Sequence, residues 1–207
     1  MVELLTVITF TIMVAIVPGP DFLVVTRNAI SAGRLAGIMT SLGIALALAV
    51  HITYALAGIG LIISQSIFLF NAIKLVGAAY LIFLGITMYR SANEKIDAPE
   101  VKSIMSPWRA LSWGFITNVT NPKATMFVLS LFVQVTSPTT PLWTQIGYGL
   151  IMAGGVFLWF VFVSFFLTIA PIRAKFLKLK THLDRSFGVL FTLFGIGIAL
   201  TTSSSKP

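Results

Sequence analysis

The chain has 207 residues, of which 57% are hydrophobic and only 10% charged, with a mean hydropathy of +0.98. A soluble domain carries about 25% charged residues, so the composition excludes one and marks an all-α integral membrane protein with short loops. The absence of cysteine excludes disulfides and thiolate metal sites. The formal charge of +8 is no nucleic-acid signal, because the basic residues lie between apolar runs, where positive charge sets orientation.

Apolar runs of the ~20 residues that cross a bilayer fall at 4–27, 36–63, 67–90, 109–135, 143–170 and 186–203. The first begins straight after Glu3, without a basic leading region, and is too long for the core of a cleavable signal. It also contains Pro18-Gly19-Pro20-Asp21. Two prolines remove backbone donors and Pro20 clashes with the preceding turn, while Gly19 permits a turn that other residues resist. Asp21 follows, placed to cap a fresh half-helix that runs through Arg27.

The second run is clean and carries a stripe of Thr40, Gly43, Ala47, His51, Tyr54 and Gly58 at helical spacing. Small residues in such a stripe read first as a seam between helices, and His51 first as a hydrogen-bonded packing residue. Its protonation near neutral pH makes proton coupling the second reading. In the third run Asn71, Lys74 and Ala78 share a face. An ionised residue at a helix centre costs about 2.5–3.5 kcal/mol, so Lys74 either snorkels to the surface or serves an internal role, the reading favoured here.

Residues 91–107, with Glu94, Lys95, Asp97, Glu100 and Lys102, read as a solvated linker. The fourth run then repeats the anomaly of the first. Asn118 is followed by Asn121-Pro122-Lys123; Asn121 is a good N-cap and Pro122 a good first helical residue. Asn118, Asn121 and Thr125 share one face. Lys123 lies too deep for easy snorkelling. Pairing of Asp21 with Lys74 or with Lys123 is open at this level. The fifth run is uninterrupted, and the basic segment 171–184 before the sixth reads either as a short interfacial helix or as an ordinary loop.

Eleven Lys and Arg residues fall in the loops after runs one, three and five, against Lys206 alone on the other side. The positive-inside rule makes those loops cytoplasmic and puts both termini outside. Three runs (residues 1–90), the linker 91–107 and three more (108–203) make a single membrane domain, 1–207. It is predicted as six transmembrane helices in two inverted three-helix repeats, with spans 1 and 4 broken. Helix starts at the breaks suit a carboxylate and the carbonyls they break away from suit an ammonium. A zwitterionic amino acid offers both.

At these residues the chain resembles the LysE/RhtB family of bacterial amino-acid exporters. Val17-Pro18-Gly19-Pro20-Asp21 with Gly33-Arg34-Leu35-Ala36-Gly37 resembles the family's opening signature. Gly114-Phe115-Ile116-Thr117-Asn118 with Asn121-Pro122-Lys123-Ala124 resembles its second, and Lys74 with Gly77-Ala78-Ala79-Tyr80-Leu81 its third-span pattern. The resemblance implies a multi-pass protein of the bacterial inner membrane that exports amino acids, the homoserine/threonine type before the basic type, in exchange for protons. It further implies a pathway lined by Pro18, Gly19, Pro20, Asp21, Lys74, Asn118, Asn121, Pro122 and Lys123. The residues themselves, not the resemblance, make Asp21 and His51 the candidates for proton coupling, Asp21 also for contact with a substrate ammonium.

Other classes fit less well. No phosphate-binding loop, His-Glu-x-x-His or Gly-x-Ser-x-Gly motif is present, which argues against an ATPase or a membrane enzyme. Metal-cation export needs clustered carboxylates or histidines, and a purely structural subunit leaves the paired breaks unexplained. No cofactor or metal is expected. The partners expected are an amino acid, protons and the bilayer, with no nucleic acid; small-residue stripes permit a homodimer.

Overall fold

The computed structural model describes residues 2–17, 19–65, 67–93, 104–137 and 139–204; the side chains of 59–65, 67–70, 73, 177 and 201–204 lie outside that description. Pro18 and most of the predicted linker, 94–103, also lie outside it. The described residues form eight α-helices: α1 (Val2–Ile16), α2 (Pro20–Ala32), α3 (Arg34–Gln65), α4 (Ile67–Ser91), α5 (Pro107–Val119), α6 (Pro122–Val135), α7 (Leu142–Phe166) and α8 (Ala170–Ser204). Both predicted breaks are present, one between α1 and α2 and one between α5 and α6.

Three helices are long and apolar enough to cross a bilayer on their own, in α3, α7 and α8. The α1–α2 pair makes a fourth when read as one span bent by 56°. Among the described residues α4 and the α5–α6 pair fall outside that set, the latter because its break leaves pieces of 13 and 14 residues.

Backbone contact, rather than side-chain interdigitation, joins the main helix pairs. A Cβ on Gly114 of α5 would stand 2.0 Å from the carbonyl oxygen of Thr40, and one on Gly43 of α3 would stand 2.0 Å from that of Leu111. The stripe on α3 is therefore a packing seam along its Thr40–His51 stretch, and it fixes α5 against α3 without room for a methyl group. The same device joins α4 to α8, where a Cβ on Gly85 would meet the Gly188 oxygen at 2.4 Å. At the centre Phe10 of α1, Phe127 of α6 and Phe191 of α8 are almost fully buried, with ring centroids 5.7–6.2 Å apart.

The segment 171–184 is neither a loop nor a separate interfacial helix. It forms the first part of α8, continuous with the last apolar run over 35 residues. Continuity follows from Lys180 and Asp184, which pair one turn apart at 2.8 Å, and from their docking on the end of α4. The Ala92 carbonyl accepts from Lys180 Nζ at 3.3 Å and from Thr181 Oγ1 at 3.2 Å. Ala92, at the start of the predicted linker, is thus buried against α8, while Asn93 beside it is exposed.

Candidate functional site: a cavity between two helix breaks

The two breaks are built differently. At the first, Gly19 is the N-cap of α2 in extended backbone (φ −162°, ψ −172°), makes no side-chain cap, and Pro20 starts the helix. Asp21 is consequently inside the first turn and does not cap α2, contrary to one expectation from the sequence. Its carboxylate is drawn instead to amide donors across the site: Oδ2 accepts from Asn118 Nδ2 at 2.9 Å and from Asn121 Nδ2 at 3.5 Å. At the second break Asn121 caps α6 as its residue type indicates, its Oδ1 accepting from Lys123 N at 3.0 Å, with Pro122 the first helical residue. Asp21 therefore lies beside the N-terminus of α6, where a negative charge is favoured.

Gly19, Pro20, Asp21, Asn118, Asn121 and Lys123 line one cavity of about 40 Å³. That is room for a few water molecules and too little for a molecule the size of an amino acid. Gly19 gives Lys123 its place: a Cβ there would stand 3.2 Å from Lys123 Nζ. Opposite this polar end the wall is apolar, formed by Phe127, Met152, Val156 and Phe160. The polar end carries unused bonding capacity. Asp21 Oδ1 and Asn118 Oδ1 are buried with no protein partner, and such atoms call for one. Since Nδ2 of Asn118 faces Asp21, its Oδ1 is left as an acceptor.

His51 is buried beside this cavity without lining it. Nε2 meets the Asn118 carbonyl oxygen at 3.0 Å, and a carbonyl can only accept, so the proton sits on Nε2. Nδ1 of the neutral ring is then an acceptor, and it contacts the Tyr54 hydroxyl and Thr125 Oγ1 at 3.4 Å. Tyr54 and Thr125 are themselves 3.2 Å apart. Asn118 thus touches the carboxylate with its side chain and the imidazole with its backbone.

The structure brings together Gly19, Pro20, Asp21, Asn118, Asn121 and Lys123, and its geometry sets Lys123, not Lys74, beside Asp21. Pro122 stands at the break as the first residue of α6. Lys74 is half-buried on α4 and is not among the residues lining the cavity. Sequence reasoning passed over Tyr54 and Thr125 as site members, and it left Lys180 and Asp184 in a segment read either as an interfacial helix or as a loop. Both of the latter are buried, 7% and 6% exposed. Their opposite charges at i and i+4 were the signal that could have found them.

Two interrupted helices enclosing an amide-lined cavity with ionisable side chains in a multi-pass apolar bundle define a membrane transporter rather than an enzyme. The chain belongs to the family of LysE type translocators, whose profile matches residues 12–202. It is 33% identical to the threonine efflux protein of Escherichia coli K12 over 95% of this chain and 97% of that one. It is also 29% identical to the uncharacterized membrane protein YahN of the same organism, covering 86% and 81%. To the uncharacterized membrane protein YrhP of Bacillus subtilis it is 28% identical, covering 96% and 99%. No solved structure gives a significant match.

Proposed function

We propose that the protein is a secondary exporter of neutral amino acids, threonine and homoserine foremost, working as a proton antiporter in the bacterial inner membrane. One observation carries this: Asp21, with a free buried oxygen, and the Lys123 ammonium line the same narrow cavity at the meeting of two helix breaks. A zwitterion satisfies both, its ammonium on Asp21 Oδ1 and its carboxylate toward Lys123. Among the described residues Asp21 is the sole carboxylate lining the cavity, and the opposite wall is apolar. A second positive charge on the substrate would meet no counter-charge there, which disfavours basic amino acids. The free Asn118 Oδ1 suits a hydroxyl donor, in keeping with relatives named threonine efflux proteins.

Coupling follows from competition for one atom. The Asp21 oxygen that holds the substrate ammonium takes a proton when the substrate leaves, so export of one is linked to entry of the other. His51 joins this exchange through Asn118: a proton on Nδ1 turns it from acceptor to donor and reverses its bond to Tyr54.

Alternating access is assigned to six spans in two inverted repeats, with charged loops cytoplasmic and both termini outside. Part of the packing supports this reading, because several contacts recur when the halves are exchanged, although α2–α3, α4–α6 and α3–α4 have no comparable counterpart in α6–α7, α2–α8 and α7–α8. As α3 packs on α5, α7 packs on α1; α2 on α5 is matched by α6 on α1, and α3 on α6 by α7 on α2. The pairs α4–α8 and α3–α7 map onto themselves, as a two-fold axis in the membrane plane requires. Lys74 is retained as a pathway residue of another conformational state.

Purified protein in liposomes with an imposed pH gradient tests the function. Counterflow of labelled threonine is expected, with homoserine competing strongly, and valine, which matches threonine's shape but lacks the hydroxyl, competing at least about tenfold less well. Folded protein that moves none of these sinks the exporter; equal competition by valine removes the role given to Asn118 Oδ1.

A further inference from the structure

A second opening lies away from the two breaks, on the outer side of the α4–α8 pair. It is a groove of about 210 Å³, several times the volume of the cavity between the breaks. The two helices meet through backbone at its floor: a Cβ on Gly85 would meet the Gly188 oxygen at 2.4 Å, and one on Gly188 would meet Tyr89 N at 3.0 Å. Ile86 of α4 with Val189 and Leu193 of α8 form its apolar walls, and all three are exposed. Such a groove offers an acyl chain more atoms to touch than a flat helix surface does.

One end of the groove is cationic. Arg90, in the last turn of α4, lines it and is exposed. Tyr89 beside it carries the Arg185 guanidinium 5.8 Å over its ring. Asn93 Oδ1 accepts from Arg185 Nη2 at 3.4 Å, which leaves most of the guanidinium donors for another acceptor. Among the described residues neither arginine has a carboxylate partner, and Asp184, next in sequence to Arg185, is held by Lys180 at 2.8 Å. From Arg185 to Leu193 the helix rises about 12 Å, so a cationic mouth leads into an apolar channel.

We propose that this groove binds one anionic phospholipid, its phosphodiester on Arg90 and Arg185 and an acyl chain along Ile86, Val189 and Leu193. Charge decides between this occupant and a second copy of the chain. A two-fold axis along the membrane normal keeps equal residues at equal depth, so a dimer through this face would set both arginines against their copies. A phosphate instead accepts from both guanidinium groups, and basic pockets between membrane helices take such head groups on the cytoplasmic side. The choice of the cytoplasmic leaflet rests on the six-span orientation above; the groove and its arginines depend neither on that nor on transport.

Native mass spectrometry of the full-length protein in detergent tests it, with phosphatidylglycerol and phosphatidylcholine of the same acyl chains as probes. One phosphatidylglycerol is expected to be retained about tenfold more tightly than phosphatidylcholine, and Arg90→Gln/Arg185→Gln is expected to erase that preference. Ile86→Trp, which fills the groove and leaves the charge unchanged, is expected to weaken phosphatidylglycerol about tenfold by displacing its chain. Equal retention of the two lipids by the wild type overturns the proposal, as does a preference that survives both variants. Displacement of the lipid by millimolar inorganic phosphate would assign the arginines to a free anion, and a lipid-free dimer lost in Ile86→Trp would assign the face to a second copy; either result also overturns it. Retention is read without transport, so a failure of the exporter reading is recognised separately.

Discussion

The first break holds a charge it does not satisfy, whereas the second satisfies itself and lends its surplus. Gly19 starts α2 with no side-chain cap, and the Asp21 carboxylate just inside reaches out of its own helix for partners. Asn121 closes the start of α6 with its own Oδ1 and offers its Nδ2 across the cavity. Asn118, in the last turn of α5, does the same while its carbonyl is pinned by His51. The contrast extends to the helices: α5 is locked on α3 by glycine contacts with no space for a methyl group, whereas the first span bends by 56° at its break. One half supplies the carboxyl group and the bend, and the other supplies the Lys123 amine and a frame of amides.

The comparison breaks most sharply at Asp21. Replacing it with Asn removes one member of a buried, hydrogen-bonded charge group, a change that costs about 3–5 kcal/mol when a partner charge is left behind. Proton-coupled efflux is expected to fall by two to three decades at about 1.4 kcal/mol per decade, with membrane insertion intact. The measurement is labelled-threonine efflux driven by a pH gradient, beside the amount of folded protein recovered from the membrane. Wild-type efflux in that variant would deny the first break its charge-carrying part.

The frame is tested at Asn121. Alanine there removes the cap of α6, worth about 0.5–2 kcal/mol, and also the longer of the two bonds to Asp21. Both effects fall on one residue, so thermal stability and the KM for threonine are expected to worsen together, the latter about tenfold. Pro122→Ala is the milder companion. The cap remains, and only a missing backbone donor is returned, so transport is expected to stay within about threefold of wild type. A large loss in Pro122→Ala with a small one in Asn121→Ala would mean that proline, and not the amide, holds the break open.

How much of this was legible in the sequence differs between the same two regions. The second break could be read almost in full, because Asn-Pro at a helix start is local chemistry: the N-cap, the first helical proline and the shared face of Asn118 and Asn121 all depend on neighbours within one turn. The first break could be located but not interpreted. Whether Asp21 caps its own helix or crosses the cavity depends on Asn118, 97 residues away, and no spacing rule carries that information. Lys74 and Lys123 were equal candidates for the same reason, since both are lysines in apolar runs and only the packing of α6 brings one of them to Gly19. The buried pair Lys180–Asp184 was hidden by composition: a basic, polar segment resembles a loop until a helix docks it on the Ala92 carbonyl.

The smallest expected effect isolates the one feature that ties the two breaks to each other. Gly19 has no positive φ to protect, and its extended backbone suits alanine as well as glycine. Stability in Gly19→Ala should therefore change by less than about 0.5 kcal/mol. The added methyl would nevertheless stand 3.2 Å from Lys123 Nζ, close enough to displace the flexible end of that side chain by a few tenths of an ångström. A shift of that size weakens an ion contact without abolishing it, so KM for threonine is expected to rise about two- to threefold with kcat unchanged. If stability falls while KM holds, the glycine serves the bend of the first span and not the seat of Lys123. Unequal effects in the expected direction would mean that the first break holds the ammonium of the second in place by the space its glycine leaves open.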